Sequence, residues 1–468
     1  MSDGVDLESV DWFTMEEAAA ALRSGQCSSR TLTERMLLRI EAYDDTLNSF
    51  MTVTTDQALK AADVADEELS RGVDRGPLHG IPVAVKDLFE TAGVVTTAGT
   101  KLWEHRVPAM DATAVKRLKE AGAVLLGKTG MHELAWGSTS VNPHYGAICN
   151  PWKIDHHPGG SSGGSAVAVA AGLAFAALGT DTGCSVRQPA HCCGIVGYKP
   201  TFGLVSKAGV VPLAWSLDHV GVLARSVADA AWTVRALTGS DRLDPWCLDR
   251  DPPDVTHALG NPVAGGTIGV PRGWFFDDVD PDAVALVETS LDVFRALGVR
   301  VVEVELKDMP EVAEAVLTTF SEVEATHGET LRAHPDGFSD EIHQKIKALS
   351  GKTAVEYAEA QRIRAVFRMQ VRDVMTGVDV LALPTSMLLA EPFAVQSPGR
   401  SADRSRNTRP FNFTGQPAVS VPCGFSPAGL PVGLMLVGRR FEDARALQYA
   451  QAFESATPWS RTHPPAFV

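Results

Sequence analysis

Pro158–Arg187, PGGSSGGSAVAVAAGLAFAALGTDTGCSVR, is the stretch that decides how this chain is read. It opens on glycines and serines, runs through the apolar segment Ala166–Leu178, and closes in a second glycine-bearing turn that ends on Ser185 and Arg187. A flexible linker is polar throughout. An apolar run between the glycines demands burial, so both turns are expected at the ends of buried elements. Ser161 and Ser185 then sit on backbone that only glycine neighbours let bend so tightly. Two small hydroxyls on rigid turns are a way to build a nucleophile with its oxyanion hole.

Outward from this segment, helix and buried strand alternate. Ala166–Ala177 reads as a helix and Leu178–Thr180 as a strand. Upstream, Ile81–Val85 is short, apolar and β-branched, hence a buried strand, and Ala112–Ala121 and Ala123–Leu126 repeat the helix–strand pair. Downstream, the pair recurs at Asp280–Leu297 with Val299–Val304 and at Ala354–Met375 with Val378–Leu383. Val419–Cys423 and Val432–Val437 read as two more strands. The first 75 residues read as helices, with capping boxes at Thr14–Glu17 and Thr31–Glu34 and an amphipathic stretch at Ala58–Leu69. Asp308–Thr376 is almost wholly helical and charged, an excursion from the sheet suited to a lid. Ala390–Arg409 is polar and Pro/Gly/Ser-rich, a long surface loop. This alternation implies an α/β fold whose sheet is covered by helices on both faces.

With 468 residues, 45% of them hydrophobic, the chain has ample material for a large core. A net charge of −15 without a basic cluster argues against nucleic acid and anionic membranes as partners. The acidic start, MSDGVDLESVDWF, lacks the basic and apolar regions of a signal peptide, and the longest apolar run is shorter than the roughly 20 residues that span a bilayer. A cytoplasmic protein is expected. Seven scattered cysteines without a C-x-x-C pair fit reduced thiols better than a disulfide framework or a structural zinc site.

Some signals resemble chemistry without carrying it. Gly122–Thr129, GAVLLGKT, matches the P-loop pattern, but its four middle residues are themselves a strand and cannot cradle a phosphate. Gly122 is expected to terminate the preceding helix. His156–His157 and His191-Cys192-Cys193 lack the spacing that converges on one ion, so no metal is expected. Ser185 does not sit in G-x-S-x-G. Cys184 beside it is an alternative nucleophile, or a residue that contributes only its backbone N–H. Lys86, directly after the apolar IPVAV, is either a charge leaving the core or a desolvated amine whose lowered pKa makes it a base for a serine.

The ordered motifs settle that choice. G-I-P-V-A-V-Lys86-D, P-G-G-Ser161-S-G-G-S and G-T-D-T-G-C-Ser185-V-R-Q-P-A resemble the amidase signature family of serine hydrolases. Flanking pieces match too, among them K-T-G-M-H-E-L-A-W-G at 128–137, W-S-L-D-H-V-G at 215–221 and N-F-T-G-Q-P-A-V-S-V-P-C-G at 412–424. The resemblance covers nearly the whole chain and is weakest over about 275–400. It implies the family's fold, a large mixed sheet between helices, in one domain over 1–468 with an N-terminal helical segment 1–75 and a variable lid-like region 275–400.

By the same resemblance Ser185 is the acyl-forming nucleophile, Ser161, on a cis peptide bond, is the relay, and Lys86 is the general base. The N–H groups of Thr182, Gly183, Cys184 and Ser185 form the oxyanion hole. Pocket walls are expected from 131–138, with Met131 and Trp136, and from 180–193, with Thr180 and His191. Ser162, Thr180, Asp181 and Arg187 are support, the last two as a local ion pair. Most relatives carry glycine where this chain has Cys184, which either narrows the acyl pocket or packs behind the turn. The implied activity is hydrolysis of the C–N bond of small carboxamides, anilides or carbamates by a stand-alone amidase. The alternative is the glutaminase subunit of a tRNA-dependent amidotransferase. No cofactor is implied. The expected partners are a small amide or carbamate and water, with a homodimer left open, and neither nucleic acid nor membrane.

Overall fold

Residues 9–249, 251–395 and 404–468 are described by the computed structural model. The N-terminal part holds α1 (Met15–Ser24), α2 (Ser29–Leu47), β1 (Phe50–Val53) and α3 (Thr55–Ser70). Next come β2 (Pro82–Lys86), α4 (Thr113–Glu120), β3 (Val124–Thr129), and the short pair β4 (Val141–Asn142) and β5 (Gly146–Ala147). The opening segment supplies α5 (Gly163–Ala170), β6 (Ala176–Asp181) and α6 (Arg187–Cys193). Then follow β7 (Val196–Lys199), β8 (His219–Ala224), α7 (Val227–Leu237), β9 (Thr267–Pro271), α8 (Pro281–Ala296) and β10 (Arg300–Val304). Four helices follow without a strand: α9 (Met309–Thr319), α10 (Glu322–Ala333), α11 (Asp340–Leu349) and α12 (Ala354–Met375). The chain closes with β11 (Val380–Pro384), α13 (Arg409–Thr414), β12 (Ala418–Phe425), β13 (Pro431–Val437) and α14 (Asp443–Ser455).

Eleven strands form one mixed sheet in the order β1-β3-β2-β6-β8-β7-β12-β13-β11-β9-β10. Successive residues of a strand face opposite sides. In β2, β3, β6, β8, β9, β11 and β13 every residue is buried, so helices cover both faces. Within this sheet only the edge strands β1 and β10 carry exposed positions. This is the α/β architecture expected from the sequence.

The opening segment folds into the expected helix and strand, but over Gly163–Ala170 and Ala176–Asp181 rather than Ala166–Ala177 and Leu178–Thr180. The helix ends at Ala170 rather than near Ala177, because Gly172 turns the chain in the left-handed region (φ 69°) and releases 176–181 into the sheet. Every residue of α5 is buried, as suits a helix that is apolar all round. It lies so close to the loop after β3 that a Cβ on Gly164 would come within 2.5 Å of the Gly130 backbone.

Other readings need correction. Phe50–Val53 is a strand, paired antiparallel with β3, so the first 75 residues are not helices alone. The box at Thr14–Glu17 forms as expected. The second does not: Ser28 is the N-cap of α2 and accepts from Thr31 N, while Glu34 turns to Arg30. Gly127-Lys128-Thr129 lies inside β3, and Lys128 Nζ is buried against Asp87, 3.2 Å away, the Phe89 carbonyl and Thr96. The segment expected as a surface loop at Ala390–Arg409 lies at 396–403 outside the described residues. Its two described ends differ: Ala394 and Val395 are exposed, as a surface loop requires, whereas Arg404, Ser405, Asn407 and Thr408 are buried, and Arg404 pairs with Glu391 at 2.6 Å.

Candidate active site

Three pieces of chain meet at one edge of the sheet. β2 and β6 are parallel neighbours, with Val85 opposite Leu178, so both end at the same edge. Lys86 is the last residue of β2, and the turn 182–186 follows β6. The loop 158–162 before α5 lies over them. Carboxyl ends of parallel strands are where open α/β sheets hold their ligands.

Lys86 donates from Nζ to Ser161 Oγ at 2.7 Å and to Thr180 Oγ1 at 3.0 Å. Both Lys86 and Ser161 are fully buried. Burial pulls the lysine from its ordinary 10.5 down to about 7, against the opposing charges of Asp181 and Asp218. An amine near neutrality, in contact with a hydroxyl, is able to take that hydroxyl's proton at ordinary pH.

The serine loop is pinned from several sides. The Gly160–Ser161 peptide is cis. Gly160 N donates to Gln188 Oε1 (2.9 Å), Ser162 N to the Ser185 carbonyl (3.2 Å) and Gly163 N to Ser140 Oγ (3.1 Å). Ser162 Oγ donates to the Thr180 carbonyl at 3.2 Å and accepts from Thr180 N at 3.3 Å. Ser162 therefore sews the loop to β6, and its bond to the Ser185 carbonyl ties the two turns together.

The second turn is shaped from beneath. Asp181 is fully buried and accepts from Val186 N (3.1 Å) and Arg187 N (3.3 Å). Arg187 grips it bidentately at 3.0 and 2.8 Å, and Asn412 Nδ2 adds a bond at 2.9 Å. Burial raises the Asp181 pKa, but Arg187 beside it holds the carboxyl well below the usual range. Asn412 Oδ1 in turn accepts from Arg187 at 2.6 Å. With the turn's carboxylate occupied by 186 and 187, the N–H groups of Thr182, Gly183, Cys184 and Ser185 have no hydrogen-bond partner among the described residues. Four consecutive donors left open in one turn can receive an anionic oxygen.

Cys184 is buried against the serine loop. Its Sγ lies 3.6 Å from the Gly160 carbonyl, and burial pushes the thiol up to about 11, so it stays protonated.

A cavity of about 370 Å³ opens beside the turn, with Thr180, Thr182, Trp215, His219 and Trp246 in its wall. Of the expected pocket residues, Thr180 reaches this wall directly, and Trp136 is next to the wall residue Ala135. Met131 and His191 are almost wholly buried elsewhere. His191 is held by backbone on both ring nitrogens, Gly433 N at 2.8 Å and the Leu388 carbonyl at 3.1 Å, and burial pulls it down to about 4. Sequence reasoning missed Asn412, Asp218 and His219, although all three stand in the quoted motifs at 215–221 and 412–424. Asp218 accepts from Thr182 Oγ1 at 2.6 Å and from Leu213 N at 2.9 Å, which fixes the rim of the turn.

Known proteins resemble this chain over nearly its whole length. The family model described as Amidase matches residues 31–447. The A subunit of glutamyl-tRNA(Gln) amidotransferase from Halorhodospira halophila is 42% identical, over 97% of this chain and 99% of its own. A structure described as a vestigial protein complex that reveals the origins of an s-triazine catabolic enzyme superposes with a TM-score of 0.90 at 34% identity, covering 95% of this chain and 98% of that one. The same amidotransferase component from Thermotoga maritima superposes at 0.79 with 32% identity, over 97% and 95%.

These relatives correct the expected partners. A full-length relative named for glutamyl-tRNA(Gln) overturns the expectation that nucleic acid is excluded and that the substrate is a free small amide. Net charge reports the averaged field of one chain and is silent on partners brought by other chains of an assembly. Family model, full-length relatives and superposition agree: the chain belongs to the amidase signature family of hydrolases, which act on C–N bonds.

Proposed function

We propose that this chain hydrolyses a carboxamide through an ester on Ser185, and does so as the glutamine-hydrolysing component of an amidotransferase. The observation that carries the chemistry is the buried, near-neutral Lys86 amine 2.7 Å from Ser161. The amidotransferase assignment draws on the full-length relatives with that name. Lys86 takes the Ser161 proton as Ser161 takes that of Ser185, whose oxygen attacks the amide carbon. The oxyanion lies against the N–H groups of Thr182, Gly183, Cys184 and Ser185, where losing one donor costs about 10²–10³ in rate. Collapse breaks the C–N bond. The proton returns through Ser161 to the nitrogen, which leaves as ammonia, and water then cleaves the ester by the same relay. Residues 1–468 act as one domain, and the helices of 309–375 serve as its cover. Phe320 would touch a Cβ on Gly183 at 3.7 Å, and Lys345 bonds the Trp136 carbonyl.

Ammonia release from glutamine tests the reading, measured on the purified chain and again with its assembly partners and glutamyl-tRNA present. Wild type releases ammonia in at least one setting and Ser185→Ala in neither; silence of the wild type in both rejects the glutaminase. A second reading, amide hydrolysis without transfer of the nitrogen, draws on a structure described as an amidase, which superposes with a TM-score of 0.85 at 36% identity against 0.79 for the amidotransferase component. Turnover of anilides or carbamates in preference to glutamine would select it.

A further inference from the structure

Arg409 is the cation that the chemistry above leaves unused. It opens α13, the helix that carries Asn412, so the clamp that shapes the Ser185 turn also positions this side chain. A Cβ on Gly183 would stand 3.1 Å from Arg409 Cγ and 3.5 Å from its Nε. Four nearby cations are engaged elsewhere. Arg187 grips Asp181, Arg404 pairs with Glu391, Arg364 donates to the Ser216 carbonyl at 2.6 Å, and Lys345 bonds Glu341 and the Trp136 carbonyl. Arg409 has no hydrogen bond or ion pair among the described residues. Its buried Nε lacks an acceptor, and the guanidinium lies 5.7 Å from the Phe320 ring centroid.

We propose that Arg409 is the carboxylate-binding residue of a subsite beside the Ser185 turn, so that the chain takes amides whose acyl part ends in a carboxylate. The inference rests on the reading that Ser185 is the acylated residue. An uncompensated guanidinium packed into protein is costly, and an incoming anion removes that cost. The planar fork of arginine matches a carboxylate bidentately, which fixes orientation as well as charge. Phe320 holds the guanidinium by its face and leaves the edge donors for the ligand. The competing role for the same cation is direct stabilisation of the tetrahedral oxyanion.

The probes are glutaramate, an amide with a terminal carboxylate, and pentanamide, its neutral counterpart of the same length. The wild type is expected to prefer glutaramate in kcat/KM, mainly through KM. Arg409→Gln lowers the glutaramate-to-pentanamide ratio roughly 10- to 100-fold, the range for hydrogen bonds to a charged group. Calorimetry gives an independent readout: glutarate binds the wild type and not R409Q. An equal fall for both amides assigns the cation to the oxyanion and overturns the proposal, as does a wild type with neither preference nor glutarate binding. Should R409Q fail to fold, Arg409→Lys keeps the cation without the fork and still reduces the ratio. Failure on glutamine together with a glutaramate preference lost in R409Q would reject the amidotransferase reading alone.

Discussion

The pH dependence of turnover measures whether Lys86 is the base. Burial lowers its pKa from 10.5 to about 7. That displacement corresponds to about 5 kcal/mol at about 1.4 kcal/mol per unit. At pH 7 an ordinary lysine is neutral in about 3 molecules in 10⁴, whereas Lys86 is neutral in about half, a gain of about 10³ in active base. Its neutral form lies above its pKa, so kcat/KM is expected to rise about tenfold from pH 6 to pH 8 and then to level off. The assay is kcat/KM for ammonia release across that range, with a pre-steady-state burst to confirm which step is followed. A flat or falling profile with acylation rate-limiting would refute the reasoning. Stability supplies a second check with the same sign. Between pH 7 and 10.5 the unfolded lysine binds a proton that the folded one does not, so this group's contribution to stability increases with pH through that window and levels off below it. Relative to Lys86→Met, the wild type should gain about 2 kcal/mol between pH 7 and pH 9 in urea unfolding.

Three further outcomes follow from the same contacts. Asp181→Asn leaves the buried Arg187 charge without its carboxylate, a loss of about 3–5 kcal/mol that urea unfolding reads directly; a loss under 1 kcal/mol would mean the pair does not shape the turn. Cys184→Gly keeps acylation, and iodoacetamide at pH 7 leaves Cys184 unlabelled in the native chain by peptide mass spectrometry, because burial raises its thiol to about 11; rapid native labelling would restore the thiolate alternative. Mg-ATP leaves the thermal midpoint unchanged, since Lys128 is committed inside β3 to Asp87 and the Phe89 carbonyl; a concentration-dependent rise would revive the P-loop.

What was legible in the sequence follows from how local each signal is. The apolar runs of β2, β6 and β13 announce themselves because strands buried on both faces need continuous apolar residues. Thr14 and Glu17 announce a helix start because both partners of the cap lie within four residues. Phe50–Val53 carries no such pattern: it is an edge strand, half exposed, and only pairing with β3 makes it one. Ser28 outcompeted Thr31 as N-cap for a reason equally hidden, since Asp66 of α3 accepts from the N–H groups of Ser29 and Arg30 and fixes where α2 begins. The contact of Arg409 with Gly183 joins distant parts of the chain, and no composition or spacing signals it. His191 shows the reverse error, a polar residue beside the site motif whose two nitrogens are spent on backbone.

The site also explains how a lysine stays near neutrality with two carboxylates close by. Asp181 and Asp218 both favour the charged amine, and burial outweighs them. Each is engaged elsewhere. Asp181 is matched by Arg187, with Asn412 and two backbone N–H groups completing its shell. Asp218 is met by Thr182 Oγ1 and two backbone N–H groups. Lys86 is left with two neutral hydroxyls, Ser161 and Thr180, as its contacts, and burial then decides its protonation. The same bonds that quiet the carboxylates hold Thr182 by its side chain and 186–187 by their amides, so the N–H groups of 182–185 stay open. One set of contacts thus prepares both the base and the place for the negative charge, and for that reason Asp181→Asn should lower turnover by more than its loss of stability alone accounts for.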